Sequence, residues 1–423
     1  MNLADRAWSL LNRAQEVYAD NPRASNWVRR HLTRLGEPVR VAVAGLSGAG
    51  ASTLVAALTG EADYGAPPNP PMSWRHVPAR HTWPELLVLD TSLTRRDSAA
   101  ALPESIGLEA DAVLYLLSPH DVEAALLRAI HDQPSPKLPP VHALAVLARA
   151  DELGGGRVDA LSSARQVARR RARESWIAEL CQDVVAVAGL VARAARTLRP
   201  DDFELLAALA AVPEAELDPL LLSADRFASD PQRAELLGRF GLFGVRLATT
   251  LIRRGVRTPQ ALVAELCRHS GFDALGEAVS RYFTDRAPVL KARSALLGLG
   301  VMLRREPRPS AAPLVAELER TLTGAHELAE LRLFATLRTG RVNLPGDLGD
   351  EAARLVGGYG EAPQTRLGLD AASEPPEVAV RQTAASILRM WRSYAENPVL
   401  SSTERQAVST VVRTCEGLAT GQG

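Results

Sequence analysis

Short apolar runs recur through residues 39–200, and segments with helical periodicity separate them. The apolar runs lie at 39–46, 84–91, 112–118, 142–150 and 183–190, and the helical segments at 52–59, 121–131 and 158–182. A strand that is buried on both faces of a parallel sheet has such a run, without polar alternation. The order of the segments predicts an α/β domain, a doubly wound and mostly parallel sheet, over residues 39–200.

The first 38 residues predict two helices. Apolar residues repeat at helical spacing from Leu3 to Tyr18. The pair Asn21-Pro22 then interrupts the pattern, and a capping residue followed by proline is typical of the start of a new helix. We expect both helices, over residues 1–38, to pack on the helical part of the chain.

After residue 200 the strand patterns stop, and residues 201–423 predict a long helical bundle and trunk. One apolar stripe consists of Leu314, Leu318, Leu322, Ala325 and Ala329, and another of Val380, Ala384, Ile387 and Trp391. Ser401 and Glu404 suit a capping box at the start of the last helix. Segments rich in proline and glycine separate these helical patterns.

Composition narrows the class of protein. Of 423 residues, 46% are hydrophobic and 23% are charged, and the formal net charge is zero, so nothing indicates a nucleic-acid partner. The three cysteines lie far apart and predict buried thiols in a cytosolic protein. The N-terminus lacks an apolar signal core. No run approaches the roughly 18 apolar residues of a membrane-spanning helix, so we expect no transmembrane segment.

The turn after the first apolar run reads AGLSGAGAST at 44–53. It fits the phosphate-binding pattern G-x-x-x-x-G-K-[ST] at Gly45, Gly50 and Ser52, but Ala51 stands where the lysine belongs. In such a turn the backbone N–H groups and a helix N-terminus hold phosphates, the lysine adds a full charge, and the serine binds Mg²⁺. The missing contact costs about 1.5–3 kcal/mol in binding, and more where negative charge develops during phosphoryl transfer. A glycine-rich turn without any ligand is the alternative.

Other positions follow the order of guanine-nucleotide motifs. Arg149 and Asp151 end the fourth apolar run in ARAD, where the carboxylate could accept hydrogen bonds from guanine and the arginine stem could cover the base. Asp151 could equally cap the next helix. Asp90 ends the second run in DTSL, where Leu93 replaces the glycine of a D-x-x-G switch and prevents the close approach. Ala188 lies in the loop expected beside the base.

The segment at 61–84, EADYGAPPNPPMSWRHVPARHTWP, is short and rich in proline, and it offers no convincing threonine to close over Mg²⁺. The elements for the γ-phosphate and the metal are therefore the damaged ones, and we do not expect the chain alone to hydrolyse GTP. The candidate nucleotide contacts are Gly45, Ser47, Gly48, Gly50, Ala51, Ser52, Thr53, Asp90, Arg149, Asp151 and Ala188. Ser52 is the candidate Mg²⁺ ligand.

Several longer segments, with these motifs, resemble the actinobacterial dynamin-like GTPases. That family includes isoniazid-inducible dynamin-like proteins of mycobacteria and a streptomycete pair that acts at sporulation septa. The resemblance spans about residues 35–370. It rests on AGLSGAGASTLVAAL (44–58), ARADELGGGRVDALSSA (148–164), SADRF (223–227), LLGRFGLFGVRLA (236–248), SGFDALGEAV (270–279), LKARSALLGL (290–299) and RLGLD (366–370).

The resemblance implies a P-loop GTPase-like domain, a helical bundle beside it and a trunk that ends near a membrane. Because Ala51 and Leu93 depart from the family pattern, it implies a pseudo-GTPase that forms a hetero-oligomer with an active dynamin-like GTPase paralogue. The expected place is the inner face of the cell membrane, at a division or sporulation septum or at stressed membrane, with membrane lipid and cell-division proteins as further partners. GTP or GDP with Mg²⁺ are the candidate ligands.

Two alternative functions stay open. The first is a slow GTPase, or a guanine-nucleotide-gated switch, that a basic residue of a partner completes. The second is a small-molecule kinase, because GLSGAG also resembles the loop of adenylylsulfate kinases, but the ARAD element and the long helical half count against it.

Two segments are candidates for membrane contact. For residues 296–309 the favoured interpretation is burial in the trunk. For the arginines between 169 and 173 it is a solvated helix face.

Overall fold

A computed structural model describes residues 2–46, 48–61, 72–80, 82–91, 106–117, 125–131, 138, 140–153, 156–157, 159–370 and 375–421. The strands are β1 Val39–Gly45, β2 Met72–Val77, β3 Leu86–Thr91, β4 Ala112–Leu117, β5 Ala143–Leu147 and β6 Val184–Ala186. They form one sheet in the order β2-β3-β1-β4-β5-β6. Strand β2 is antiparallel to β3, and every other neighbouring pair is parallel. The prediction of an α/β domain with a mostly parallel sheet is confirmed.

The helices of the described residues, in chain order, are α1 Leu3–Val17, α2 Pro22–Gly36, α3 Ala51–Thr59, α4 Ala125–His131, α5 Ala160–Arg171, α6 Ser175–Leu180, α7 Gly189–Arg196, α8 Pro200–Ala211, α9 Glu214–Leu220, α10 Ala224–Phe227, α11 Pro231–Arg253, α12 Pro259–His269, α13 Phe272–Val279, α14 Ala287–Arg305, α15 Ala312–Thr323, α16 His326–Arg338, α17 Leu348–Leu355, α18 Pro363–Leu367, α19 Glu377–Ala395 and α20 Ser402–Thr420. Short turns of 3₁₀ or π helix cover Ala150–Glu152, Ser280–Thr284 and Pro309–Ala311. After residue 200, every element that the structure describes is a helix or a helical turn, and together these elements form the helical region.

The central strands separate two cores, because alternate side chains of a strand point to opposite faces. Val43 and Leu114 join the core that the sheet shares with the helical region. Ala44 and Tyr115 join a second core on the other face, under α5 and α6. Burial on both faces explains why these strands read as continuous apolar runs.

The N-terminal helices lie on α14. Asn21 caps α2 by accepting the N–H groups of Arg23 and Ala24, and Pro22 stands at the first turn, as the sequence predicts. The Trp27 Nε1–H donates to the Gly298 carbonyl oxygen at 3.0 Å. A Cβ atom at Gly298 would lie 2.4 Å from the His31 ring, so the close approach of α2 and α14 requires the glycine.

A buried ion pair joins these helices to the amino end of the sheet. The Arg34 Nη2 lies 3.1 Å from Asp111 Oδ1, and the two side chains are 4% and 2% exposed. Asp111 Oδ2 also accepts the Arg40 N–H at 3.0 Å, and Ser294 of α14 donates its hydroxyl to the same carboxylate. A carboxylate satisfied by three partners in a low-dielectric site fixes α2, the sheet and α14 relative to one another.

Two predicted helices are each two helices in the structure. The segment 158–182 divides into α5 and α6 because Ala168 and Ile177, nine residues apart, would lie about 180° apart on one continuous helix, yet both join the same core. The apolar stripe at 314–329 breaks at Gly324, after which Ala325 has a ψ of 86°. Glycine has a low helix propensity, and this is where α15 ends.

Other expectations for the helical region are confirmed. The Ser401 and Glu404 side chains form the reciprocal capping box of α20. Residues 296–303 of the candidate segment 296–309 are buried within α14, as the trunk-core interpretation expects, and contact of this segment with a membrane stays a prediction. Among the helices that the structure describes, none is both long enough and apolar enough to cross a bilayer.

Candidate functional site

A cavity of about 260 Å³ opens at the carboxyl edge of the sheet, beside the end of β1. Strand β1 has β3 on one side and β4 on the other, so the chain order reverses at this strand. Ligands of open α/β sheets bind at such a switch point, outside the carboxyl ends of the strands. The volume is slightly below the roughly 300 Å³ at which small-molecule pockets begin.

The glycine-rich turn forms one wall of the cavity and has the conformation that its sequence requires. Gly48 and Gly50 have φ values of 85° and 98°, in the left-handed region that favours glycine. A Cβ atom at either residue would meet nothing within 4 Å, so backbone conformation and not crowding demands these glycines. Gly45 differs, because its Cβ would lie 3.0 Å from the Leu116 Cβ of the neighbouring strand.

Two helices begin at the cavity. In α3 the first intrahelical hydrogen bond runs from the Leu54 N–H to the Gly50 carbonyl oxygen at 2.9 Å, so the amides before Leu54 precede the helical ladder. In α7 the first such bond runs from the Ala192 N–H to the Ala188 carbonyl oxygen at 3.0 Å. Both helices place their N-terminal turns in the cavity wall. Their dipoles give this wall a positive potential.

The ARAD element forms another part of the cavity wall. Arg149 has a φ of 52° and is the only residue other than glycine with a positive φ among the described residues. Its Nε donates to Glu152 Oε1 at 2.6 Å. Asp151 is half-buried in the cavity wall. Burial raises the pKa of the Asp151 carboxyl, and the neighbouring negative charge of Glu152 raises this pKa further.

The side chains of the cavity do not suit a phosphate. Its described lining contains one cationic side chain, Arg149, and two carboxylates, Asp151 and Glu152. The arginine is already paired with Glu152. Among the described residues, backbone amides and helix dipoles therefore supply most of the positive potential at the turn, and the formal charge of the described lining is −1, from one arginine and two carboxylates.

The predicted contacts divide into three groups. Gly48, Gly50, Thr53, Arg149 and Asp151 line the cavity. Gly45, Ala51, Ser52 and Ala188 lie within three residues of the lining along the chain but outside it, and Asp90, also outside the lining, pairs with Val43 of β1. Ser47 lies outside the described residues, as do Leu93 and, in the predicted switch segment at 61–84, residues 62–71 and 81. For all three groups, contact with a nucleotide stays a prediction.

Asp90 and Ala188 have defined surroundings. Asp90 is fully buried at the end of β3. Next to it, the Thr91 hydroxyl donates to the Val43 carbonyl oxygen at 2.8 Å. The Ala188 N–H donates to the Ser270 carbonyl oxygen at 2.8 Å. Within the described residues, no three or more His, Cys, Asp and Glu side chains are grouped as a metal site.

Sequence reasoning did not identify Glu152 or the apolar walls. Glu152 follows Asp151 directly and stands three residues after Arg149, a spacing at which side chains meet in a helical turn, so the ion pair had a signal. Leu116 and Val146 line the cavity from β4 and β5. They carry no signal, because an apolar residue at a strand end looks like any other core residue.

Comparison with known proteins places the whole chain. No family model matches it. The isoniazid-induced protein IniC of Mycobacterium tuberculosis, from strains CDC 1551 and H37Rv, is 31% identical to it over 492 residues, an alignment that covers 99% of this chain and 98% of the relative. The chain belongs to the IniC family. Because the similarity covers the IniC relatives from end to end, it includes the helical region as well as the glycine-rich turn.

Proposed function

We propose that the protein is a dynamin-like pseudo-GTPase, a structural or regulatory subunit of a membrane-associated assembly with an active GTPase paralogue. One observation carries the proposal. The turn at Gly48 and Gly50 keeps the backbone of a phosphate cradle, whereas Ala51 and the acidic wall of the cavity remove its charge complementarity. Such a site keeps the shape of a phosphate cradle but lacks the positive charge that hydrolysis of a nucleoside triphosphate requires.

The architecture supports the same proposal. A mostly parallel sheet with a glycine-rich turn after β1 is joined to a long helical region, as in the dynamin-like resemblance. Asp111 pairs with Arg34 of α2 and accepts the hydroxyl of Ser294 of α14, so these contacts join the sheet to the helical region. In the assembly, the cavity face would lie against the GTPase face of the partner. The expected place is a division or sporulation septum, or stressed membrane.

Calorimetry with GTP, GDP and ATP, with and without Mg²⁺, tests the loss of nucleotide binding. We expect no heat of binding for the native chain at nucleotide concentrations up to about 1 mM, because the cavity lacks the lysine and its lining is acidic. A dissociation constant above 1 mM corresponds to a binding free energy weaker than about −4 kcal/mol. Ala51→Lys should strengthen binding by roughly 10- to 100-fold. Ala215→Lys, which adds the same charge at an exposed position in α9, is the matched control and should change nothing. Micromolar, guanine-specific binding by the native chain would overturn the pseudo-GTPase.

Co-sedimentation tests the assembly. The purified chain is mixed with its GTPase paralogue and with vesicles that contain anionic lipid, and GTP hydrolysis by the paralogue is followed. We expect a complex and an altered rate of hydrolysis. A chain that stays monomeric, and leaves hydrolysis by the paralogue unchanged, would contradict a role as a subunit.

The second candidate is a guanine-nucleotide-gated switch, or a GTPase that the partner completes. Arg149, which keeps an unfavourable backbone conformation at the cavity, and Asp151, which lies beside the start of α7, favour it. A partner variant without its own phosphate-binding lysine separates the two candidates. Mixed with the native chain, it should remain inactive if this protein is a pseudo-GTPase, and should hydrolyse GTP if this chain has a site that the partner completes.

A further inference from the structure

A second cavity, of about 230 Å³, lies where the sheet domain meets the helical region. Its walls come from the chain between β2 and β3, from the C-terminal ends of α3 and α7, and from the corner between α12 and α13. It shares none of its lining residues with the candidate nucleotide cavity.

The interior of this junction cavity is apolar and aromatic. The Trp83 and Phe272 rings lie 4.7 Å apart between centroids, and Leu58 and Val263 complete the walls. The walls are held in place by close backbone packing, because a Cβ atom at Gly276 would lie 2.6 Å from the Thr82 carbonyl oxygen. Such a cavity favours an apolar group over water.

Two arginines, Arg80 and Arg196, line the same cavity, and the Arg196 Nε also donates to the Ala57 carbonyl oxygen at 3.3 Å. Among the described residues, neither lies within ion-pair distance of a carboxylate. Asp273 also lines the cavity, but its Oδ1 accepts the Thr82 hydroxyl at 3.0 Å. The formal charge of the lining is therefore +1, from two arginines and one aspartate.

The two arginines disfavour each other. Burial lowers the pKa of Arg196, and the positive charge of Arg80 lowers it further. Arg80 is exposed, so water screens part of this repulsion, and an anion that lies between the two side chains would offset the rest. The two arginines therefore favour an anion in the cavity.

We propose that the junction cavity binds a small amphiphilic anion, an acyl or aryl carboxylate whose apolar part lies against Trp83 and Phe272 and whose carboxylate lies between Arg80 and Arg196. At about 30 Å³ for each water-sized group, the cavity admits roughly eight non-hydrogen atoms. Octanoate and benzoate are close to this size. A bound anion would contact both the sheet domain and the α12–α13 corner, and would strengthen the joint between them.

The test is a titration of the full chain, without nucleotide, with octanoate and with 1-octanol, which has the same chain without the charge. Calorimetry gives the affinities, and thermal unfolding confirms that each variant is folded. The native protein should bind octanoate at least about tenfold more tightly than 1-octanol. Arg80→Gln should remove most of this preference and is expected to fold normally, because Arg80 is exposed. Arg257→Gln, also at an exposed arginine but outside the cavity, should keep the preference.

A variant with a filled cavity supplies the second arm. Val263→Phe should prevent binding of both octanoate and 1-octanol, since the larger side chain occupies the space. Equal affinity of the native protein for the two probes, or binding of octanoate that survives both Arg80→Gln and Val263→Phe, would overturn the proposal. Nucleotide binding at the other cavity does not enter either result, so this proposal and the pseudo-GTPase can fail separately.

Discussion

The N–H of Ala188 donates a 2.8 Å hydrogen bond to the carbonyl oxygen of Ser270, and this bond ties the candidate nucleotide cavity to the helical region. Val187 and Gly189, the chain neighbours of Ala188, line that cavity. Ser270 is fully buried at the corner between α12 and α13. A partner or ligand that moves the loop after β6 would therefore either break this buried bond or move the corner with the loop.

The residue after Ser270 gives the first prediction. Gly271 has a φ of 80°, and a Cβ atom there would lie 2.2 Å from the Ala186 carbonyl oxygen, at the end of β6. Gly271→Ala should lower the free energy of unfolding by about 2–4 kcal/mol, since left-handed strain and a clash with backbone add together. Chemical denaturation measures the loss.

The matched control for that variant is Gly255→Ala. Gly255 also has a positive φ, 107°, but a Cβ atom there would meet nothing within 4 Å. We expect a loss of about 1 kcal/mol from backbone strain alone. Equal losses for the two variants would show that the contact between the corner and β6 does not hold the joint.

The sheet was predictable where burial is symmetric. The runs that became β1, β4 and β5 are apolar on both faces, and that property identifies a central parallel strand without knowledge of its neighbours. Strand β2 was not predicted. It lies at the edge of the sheet, is antiparallel to β3, and includes the polar residues Arg75 and His76, so the sequence shows no apolar run there.

The candidate cavity was predictable in its backbone and not in its walls. Glycine at 48 and 50 requires a turn with positive φ, and a strand before it places that turn at the edge of the sheet. The contact of Ala188 with Ser270 joins residues 82 positions apart, and no local pattern encodes it. The strain at Arg149 is equally invisible, because arginine has no preference for the left-handed region.

The buried His31 predicts a pH dependence of stability. Burial lowers the pKa of His31 to about 3, and the positive charges of Arg34, Arg30 and Arg40 act in the same direction. The unfolded chain, with a histidine pKa near 6.5, takes up the proton first, so acid favours unfolding. The contribution of His31 to stability is complete above about pH 6.5 and is lost at about 1.4 kcal/mol per pH unit as the pH falls toward 3.

The measurement is the free energy of unfolding at several pH values between 7 and 4.5. His31→Phe keeps a ring against Gly298 without a titrating group, so its pH slope should be smaller than that of the native chain by about 1.4 kcal/mol per unit. His142, whose pKa burial also lowers well below the usual value, keeps part of the slope in the variant. If the free energy of unfolding has the same pH slope in both proteins, His31 takes up its proton as readily in the folded state as in the unfolded state.

The backbone of Arg149 is strained, and this strain leads to a prediction about stability. Its φ of 52° is unfavourable for arginine by roughly 1–2 kcal/mol, and glycine would adopt it freely. Arg149→Gly should therefore be more stable than Arg149→Ala by about 1 kcal/mol, since only alanine keeps the strain. The side chain pairs with Glu152 at the cavity, and under the two candidate functions it would also contact a partner or a base.

The two variants separate those uses. Under the proposed assembly, both should weaken the complex with the GTPase paralogue to a similar degree, although their stabilities differ, because both lack the guanidinium group. Under the nucleotide-gated alternative, both should instead lose affinity for GDP. If Arg149→Gly forms the complex and binds nucleotide as the native chain does, the side chain has neither use, and its strain is left without a functional reason.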